Sequence, residues 1–234
     1  RPVIFYDQLG CGKSDRPADP SLWCAQRFVR ELAQLREALG LERFHLLGHS
    51  WGAMLAVDYL LAGGTGVERL ILASPALSIP RWMEDADRLR RLLPAGVQAV
   101  LDGHEAAGTT RSEAYDRASE EYYKRFLCRV NPTPEPMQRS HDAAGAAVYQ
   151  AMWGPSEFEV TGNLRDYDRT GSLGKITTPT LFTCGRFDEA TPEATAWYHS
   201  LVPGSQFVVF EQSAHMAHME EPARYLAVLR GFLA

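Results

Sequence analysis

The pentapeptide Gly48-His49-Ser50-Trp51-Gly52 constrains this chain more than any other feature. It lies between an apolar run over 44–47 and a helical run that starts at Ala53. A G-x-S-x-G sequence in that setting requires a strand to end in a tight turn, with a helix leading away from it. Such a turn lifts one serine hydroxyl clear of the backbone. A serine hydroxyl is a weak nucleophile until a neighbouring base takes its proton, so the rest of the chain has to supply that base. The two glycines are expected to keep side chains out of the narrow gap between strand and helix.

The pattern around the elbow alternates strand and helix. Val3 to Tyr6 reads as a buried strand, closed by a turn over 7–12. Gly10-Cys11-Gly12-Lys13-Ser14 lacks the spacing of a phosphate-binding loop and reads as part of that turn. The spacing of Phe28, Leu32, Leu35 and Leu39 predicts a helix over 26–39, ended by Gly40. A strand over 44–47, a helix over 53–61 and a strand over 70–73 follow. The rhythm then changes. Charged helical stretches over 82–93, 111–130 and 136–153 are interrupted by Pro132, Pro134 and Pro136. Tyr115, Tyr122, Tyr123 and Phe126 read as core or groove lining within them. The first rhythm returns with a strand over 180–184, a helix over 192–201, a strand over 206–210 and a helix over 221–233. The chain is thus expected to divide into a core segment 1–77, a helical insertion 78–158 and a second core segment 159–234. Alternating strands and helices imply an α/β fold with a mostly parallel sheet, whose functional edge lies at the C-terminal ends of the strands.

A base and an orienting acid are expected at that edge, after the elbow. Asp188 stands four residues past the strand over 180–184, and His215 five residues past the strand over 206–210. The order Ser50, Asp188, His215 fits this chemistry, with the backbone N–H of Trp51 as one donor to the oxyanion. His218 is placed in the first turn of the last helix, where it competes poorly as the base and a supporting role is its minor alternative. His49 is expected to point away from Ser50, and His45 to be a packed neighbour within a strand. Composition excludes other classes. With 29 acidic against 24 basic residues the formal net charge is -5, which disfavours a nucleic-acid partner. No apolar run reaches the length of a membrane span. Cys11, Cys24, Cys128 and Cys184 form no C-x-x-C pair and are read as free thiols of a reducing, cytoplasmic compartment. No cluster has metal-ligand spacing, and neither a metal nor another cofactor is expected.

These residues resemble the α/β-hydrolase fold and, more narrowly, the proline iminopeptidase family of serine aminopeptidases. The resemblance rests on Asp7-Gln8-Leu9-Gly10-Cys11-Gly12-Lys13-Ser14-Asp15, the elbow, Met152-Trp153-Gly154-Pro155-Ser156-Glu157, Gly185-Arg186-Phe187-Asp188-Glu189 and Ser213-Ala214-His215. It implies helices on both faces of the sheet and a helical cap inserted after the strand over 70–73. It also implies release of an N-terminal residue, often proline, from peptides or amino-acid amides with a free N-terminus. By motif, Glu157 and Glu189 are the two carboxylates that would grip the substrate's α-ammonium group. On the residues alone, Glu157 reads as a turn cap and Glu189 as a solvent-facing acid.

The family ordinarily carries a His-Gly-Gly-Pro-Gly-type loop upstream, with strands that would precede Arg1. That loop supplies the second oxyanion donor, and a strand there belongs between the strand at Val3 and the strand at Phe44. The expectation is therefore that an upstream segment of the same protein completes the sheet. Two rival readings share the fold. One is an esterase or other acyl hydrolase that needs no free amine, and the other is a non-catalytic binding module, which would require a broken triad.

Overall fold

The computed structural model describes residues 2–234. Its organising element is a sheet of four strands in the order β1-β2-β3-β4, all parallel. These are β1 (Phe44–His49), β2 (Val67–Ala73), β3 (Thr180–Gly185) and β4 (Gln206–Phe210). Parallel strands need crossover connections, and helices supply them. Helix α1 (Ala25–Ala38) precedes β1, and α2 (Trp51–Leu61) links β1 to β2. Five helices follow β2: α3 (Ile79–Arg90), α4 (Ala95–Ala106), α5 (Glu113–Phe126), α6 (Glu135–Asp142) and α7 (Ala146–Met152). Helix α8 (Pro192–Ser200) links β3 to β4, and α9 (Ala217–Glu220) and α10 (Pro222–Leu233) close the chain.

The two-residue period of the strands decides which helix each face receives. Leu70, Leu72 and Phe182 pack with Ala53, Val57, Ala194 and Tyr198, so α2 and α8 cover one face. Ile71 and Leu181 point the other way, onto Phe232 and Val228 of α10. Both faces of β3 and of the second half of β2 are therefore buried, which explains the apolar run Leu70–Ala73. The helices between β2 and β3 hold a small core of their own. Leu89, Leu101, Tyr115, Tyr122, Phe126 and Phe158 form it, and this accounts for most of the aromatic cluster seen in the sequence.

Three sequence expectations change. Residues 3–6 form no strand, and Val3, Ile4 and Phe5 are exposed at 74%, 52% and 90%. A strand exists only by pairing, and no described strand pairs with this segment; β1 is itself an edge of the sheet. Helix α4 was not expected. It contains Gly96 and Gly103 and buries one residue, Leu101. Arg90 holds it through Asp102 and Glu105, at 2.6 and 2.9 Å. The helix predicted over 136–153 is divided into α6 and α7. The break at 143–145 docks on the turn near the N-terminus: Gly12 N and Arg16 donate to the Ala143 carbonyl at 3.0 and 2.8 Å.

The elbow forms as its sequence requires, but its two glycines are unequal. A Cβ at Gly48 would lie 2.1 Å from the Gly52 carbonyl oxygen and 2.6 Å from Ala53 N. A Cβ at Gly52 would meet nothing within 4 Å. The close approach is therefore made by Gly48 alone. Gly48→Ala should destabilise the protein by roughly 2 kcal/mol or more, whereas Gly52→Ala should stay within about 1 kcal/mol of the parent. Urea unfolding of the two variants checks this difference.

Candidate active site

The C-terminal ends of the strands lie level, and their ladder continues one residue into the loops. Ser50 N donates to Ala73 O at 3.0 Å, Ser74 N to Thr183 O at 2.7 Å, and Arg186 N to Phe210 O at 2.8 Å. The loops carrying Ser50, Asp188 and His215 thus start from one hydrogen-bonded edge. Ser50 has φ 54° and ψ -118°, a strained conformation for a non-glycine residue. Trp51 is the first residue of α2, so its N–H belongs to the first turn, which has no intrahelical acceptor. That N–H points from the positive end of the helix, where an anion is favoured.

Asp188 and His215 are joined. His215 Nδ1 donates to Asp188 Oδ1 at 2.7 Å, and both residues are buried, at 3% and 1% exposure. This bond places the imidazole proton on Nδ1 and leaves Nε2 as an acceptor. Asp188 also receives Ala190 N at 2.8 Å, Gly185 N at 3.1 Å and the Ser74 hydroxyl at 2.7 Å. Burial pushes the His215 pKa down, but the charge and hydrogen bond of Asp188, helped by Glu157 and Glu220, outweigh it and hold the value above the ordinary one. No hydrogen bond joins Ser50 Oγ to His215 among the described residues.

His49 and His218 pack beside His215. The His49 ring lies 4.6 Å from that of His215 and 5.5 Å from that of His218. His49 Nε2–H donates to the His215 carbonyl at 2.9 Å. Burial, with the charge of His215 adding to it, lowers the His49 pKa to about 3, so the ring stays neutral while it supports the histidine loop. His218 lies on the short helix α9 rather than in the last helix.

The two glutamates face a shielded region. Glu189 is 2% exposed, which corrects the solvent-facing alternative. Both of its carboxylate oxygens are buried without a hydrogen bond of ordinary length and angle among the described residues; the Tyr122 hydroxyl, likewise unpaired, is the donor beside them. Burial raises its pKa well above the ordinary value, the charges of Glu157 and Asp188 raise it further, and the Tyr122 hydroxyl opposes the rise. Glu157 accepts from Tyr149 Oη at 2.9 Å, and its backbone carbonyl accepts from Trp82 Nε1 at 2.7 Å. Burial raises the Glu157 pKa as well, against the opposing pull of His215 and Tyr149. A cavity of about 390 Å³ is lined by Ser50, Trp51 and Glu157 together with Phe28, Val148, Tyr149 and other apolar groups. It therefore brings the elbow serine and one of the two carboxylates to a single apolar chamber.

Sequence reading missed the groups that hold the loops in place. The Phe126 carbonyl, at the end of α5, accepts Glu189 N at 3.2 Å and His215 N at 3.3 Å. Glu220 accepts Ala214 N at 2.7 Å and Arg129 N at 2.8 Å. Asp85 of α3 accepts the Thr191 hydroxyl at 2.8 Å. None of these has a motif, because each acts across a distance in sequence that only the fold closes.

Comparison with known proteins identifies the family and the fold. A family model described as alpha/beta hydrolase fold matches residues 1–222. The proline iminopeptidase of Heyndrickxia coagulans is 53% identical over 234 residues, which cover 100% of this chain and 81% of that protein. Among solved structures, VinJ is 38% identical with a TM-score of 0.94, over 97% of this chain and 79% of that one. The proline iminopeptidase of Mycobacterium smegmatis is 39% identical with a TM-score of 0.88, over 97% of this chain and 78% of that one. The chain therefore belongs to the proline iminopeptidase family of α/β-hydrolase enzymes.

Proposed function

We propose that the protein is a serine exopeptidase that releases an N-terminal residue, with proline favoured, from peptides or amino-acid amides. Ser50 Oγ attacks the carbonyl of the first residue while His215 Nε2 takes its proton. Asp188 holds the imidazole tautomer and stabilises the imidazolium. The Trp51 N–H donates to the oxyanion. His215 then protonates the leaving amine, and water attacks the acyl-enzyme by the same route. In this reading residues 78–158 are the cap over a core made by 1–77 and 159–234.

The observation that carries the proposal is the Glu189 carboxylate. A buried acid with neither oxygen hydrogen-bonded is costly unless a cation joins it. Here it stands next to Asp188 and close enough to Glu157 to feel its charge, and Glu157 lines the cavity that Ser50 lines. A substrate α-ammonium group supplies the missing positive charge and donors. An internal peptide bond has no such group, so the same pair would limit the enzyme to N-termini. The name of these relatives, proline iminopeptidase, supports an imino acid in the first position. An upstream segment pairing with the free edge of β1 and covering Val3, Ile4 and Phe5 belongs to the same proposal. It would bring the second oxyanion donor. Four free cysteines support a reducing, cytoplasmic setting.

Ser50→Ala should lower turnover by roughly 10⁴-fold or more and abolish labelling by a fluorophosphonate probe; a variant that still labels assigns the nucleophile elsewhere. Glu157→Gln and Glu189→Gln should each lower kcat/KM for proline amide by about 100-fold, while an ester lacking the amine changes little. Equal losses on both substrates would favour an acyl hydrolase that makes no use of the amine. The stability of the ligand-free protein carries a further signature. With its folded pKa raised, Glu189 stays protonated at pH values where the unfolded chain has already released that proton. Stability from this residue is therefore present at low pH and falls as pH rises above the ordinary carboxylate range. Thermal unfolding between about pH 5 and about pH 8 should show Glu189→Gln with a shallower decline than the parent.

A further inference from the structure

Ser74 follows β2 at the same sheet edge as Ser50 and is 2% exposed. Its φ is +48°, in the left-handed region where a side chain is strained and glycine is not. A serine kept in that conformation needs a reason, and its hydroxyl gives one. Oγ lies 2.7 Å from Asp188 Oδ2 and 3.2 Å from the His215 carbonyl oxygen. Both are acceptors, and the hydroxyl has one proton. The carboxylate is nearer and charged, and the carbonyl already receives His49 Nε2–H at 2.9 Å. The Ser74 proton therefore goes to Asp188. Among the described residues, the other donors to that carboxylate are His215 and two backbone amides.

We infer that Ser74 is a positioning residue, whose hydroxyl fixes the rotation of the Asp188 carboxylate so that Oδ1 meets His215 Nδ1. This rests on the proposed triad. Its amide is tied to Thr183 O at 2.7 Å, so the hydroxyl is carried by the sheet itself rather than by a loose loop. The donated proton also draws negative charge from the carboxylate. It thereby limits how strongly Asp188 holds a proton on His215, and removing the hydroxyl should make the imidazole more basic.

The test compares Ser74→Gly, Ser74→Ala and Asp188→Asn with the parent enzyme, using proline amide across a pH series. Ser74→Gly relieves the backbone strain, so it should unfold at the same temperature as the parent or higher. Both Ser74 variants should lose about 10-fold or more in kcat with little change in KM. Both should also move the acidic limb of the kcat/KM profile to higher pH, because a more basic His215 stays protonated further up the scale. A Ser74→Gly enzyme that keeps kcat within about twofold, or loses kcat with an unmoved acidic limb, overturns the inference provided Asp188→Asn is inactive. If Asp188→Asn retains parental activity, the triad reading itself falls, and this inference falls with it.

Discussion

The site depends on the hydrogen-bond ladder of a four-stranded parallel sheet. Parallel pairing sets all strand C-termini at one edge, and the amides of Ser50, Ser74 and Arg186 extend that ladder past the strand ends. Three loops are therefore fixed in height before any side chain contributes. Gly185 shows how close the resulting approach is. A Cβ there would stand 2.2 Å from the Ala214 carbonyl oxygen, so the end of β3 and the histidine loop meet backbone to backbone. Asp188 and His215 are buried by this contact, and their hydrogen bond is made where water is excluded.

On that frame the helices between β2 and β3 act as a clamp. Helix α5 ends in the Phe126 carbonyl, whose two lone pairs receive the amides of Glu189 and His215. Helix α3 reaches the acid loop through Asp85 and Thr191, and the chain after α5 meets Glu220 through Arg129 N. Each of these contacts crosses from the segment between β2 and β3 to residues that follow β3 or β4. Movement of those helices would be felt by the Asp188 and His215 segments together. The same packing isolates Glu189 from water, so ionising its carboxyl group there is costly.

Much of this was legible from residues. The elbow, the strands from β1 onward and most of the helices could be read because apolar spacing reports burial directly, with a period of two or near 3.6. Asp188 and His215 were legible because they follow strands in the order the chemistry uses. Residues 3–6 misled for the same reason: an apolar run records a preference for burial, and burial needs a partner strand. The divided helix over 136–153 failed differently. Its break is imposed by the turn at Gly12 and Arg16, more than a hundred residues away in sequence. Helix α4 was hidden by two glycines, and a tertiary ion pair from Arg90 overcomes their low helix propensity.

The sequence by itself determined the fold class and the strand–turn–helix elbow at Ser50; it also set the order of the three candidate catalytic residues and, through resemblance, singled out Glu157 and Glu189 as candidates. Those features are local, or depend only on order along the chain. Tertiary structure alone decided that Glu189 is buried without a partner and that His49 supports the His215 loop. It likewise decided that a strained Ser74 touches the acid and that Gly48 rather than Gly52 makes the close approach. These depend on distances between segments far apart in sequence. A residue type carries no record of the dielectric, the donors or the backbone angle that the folded chain will give it.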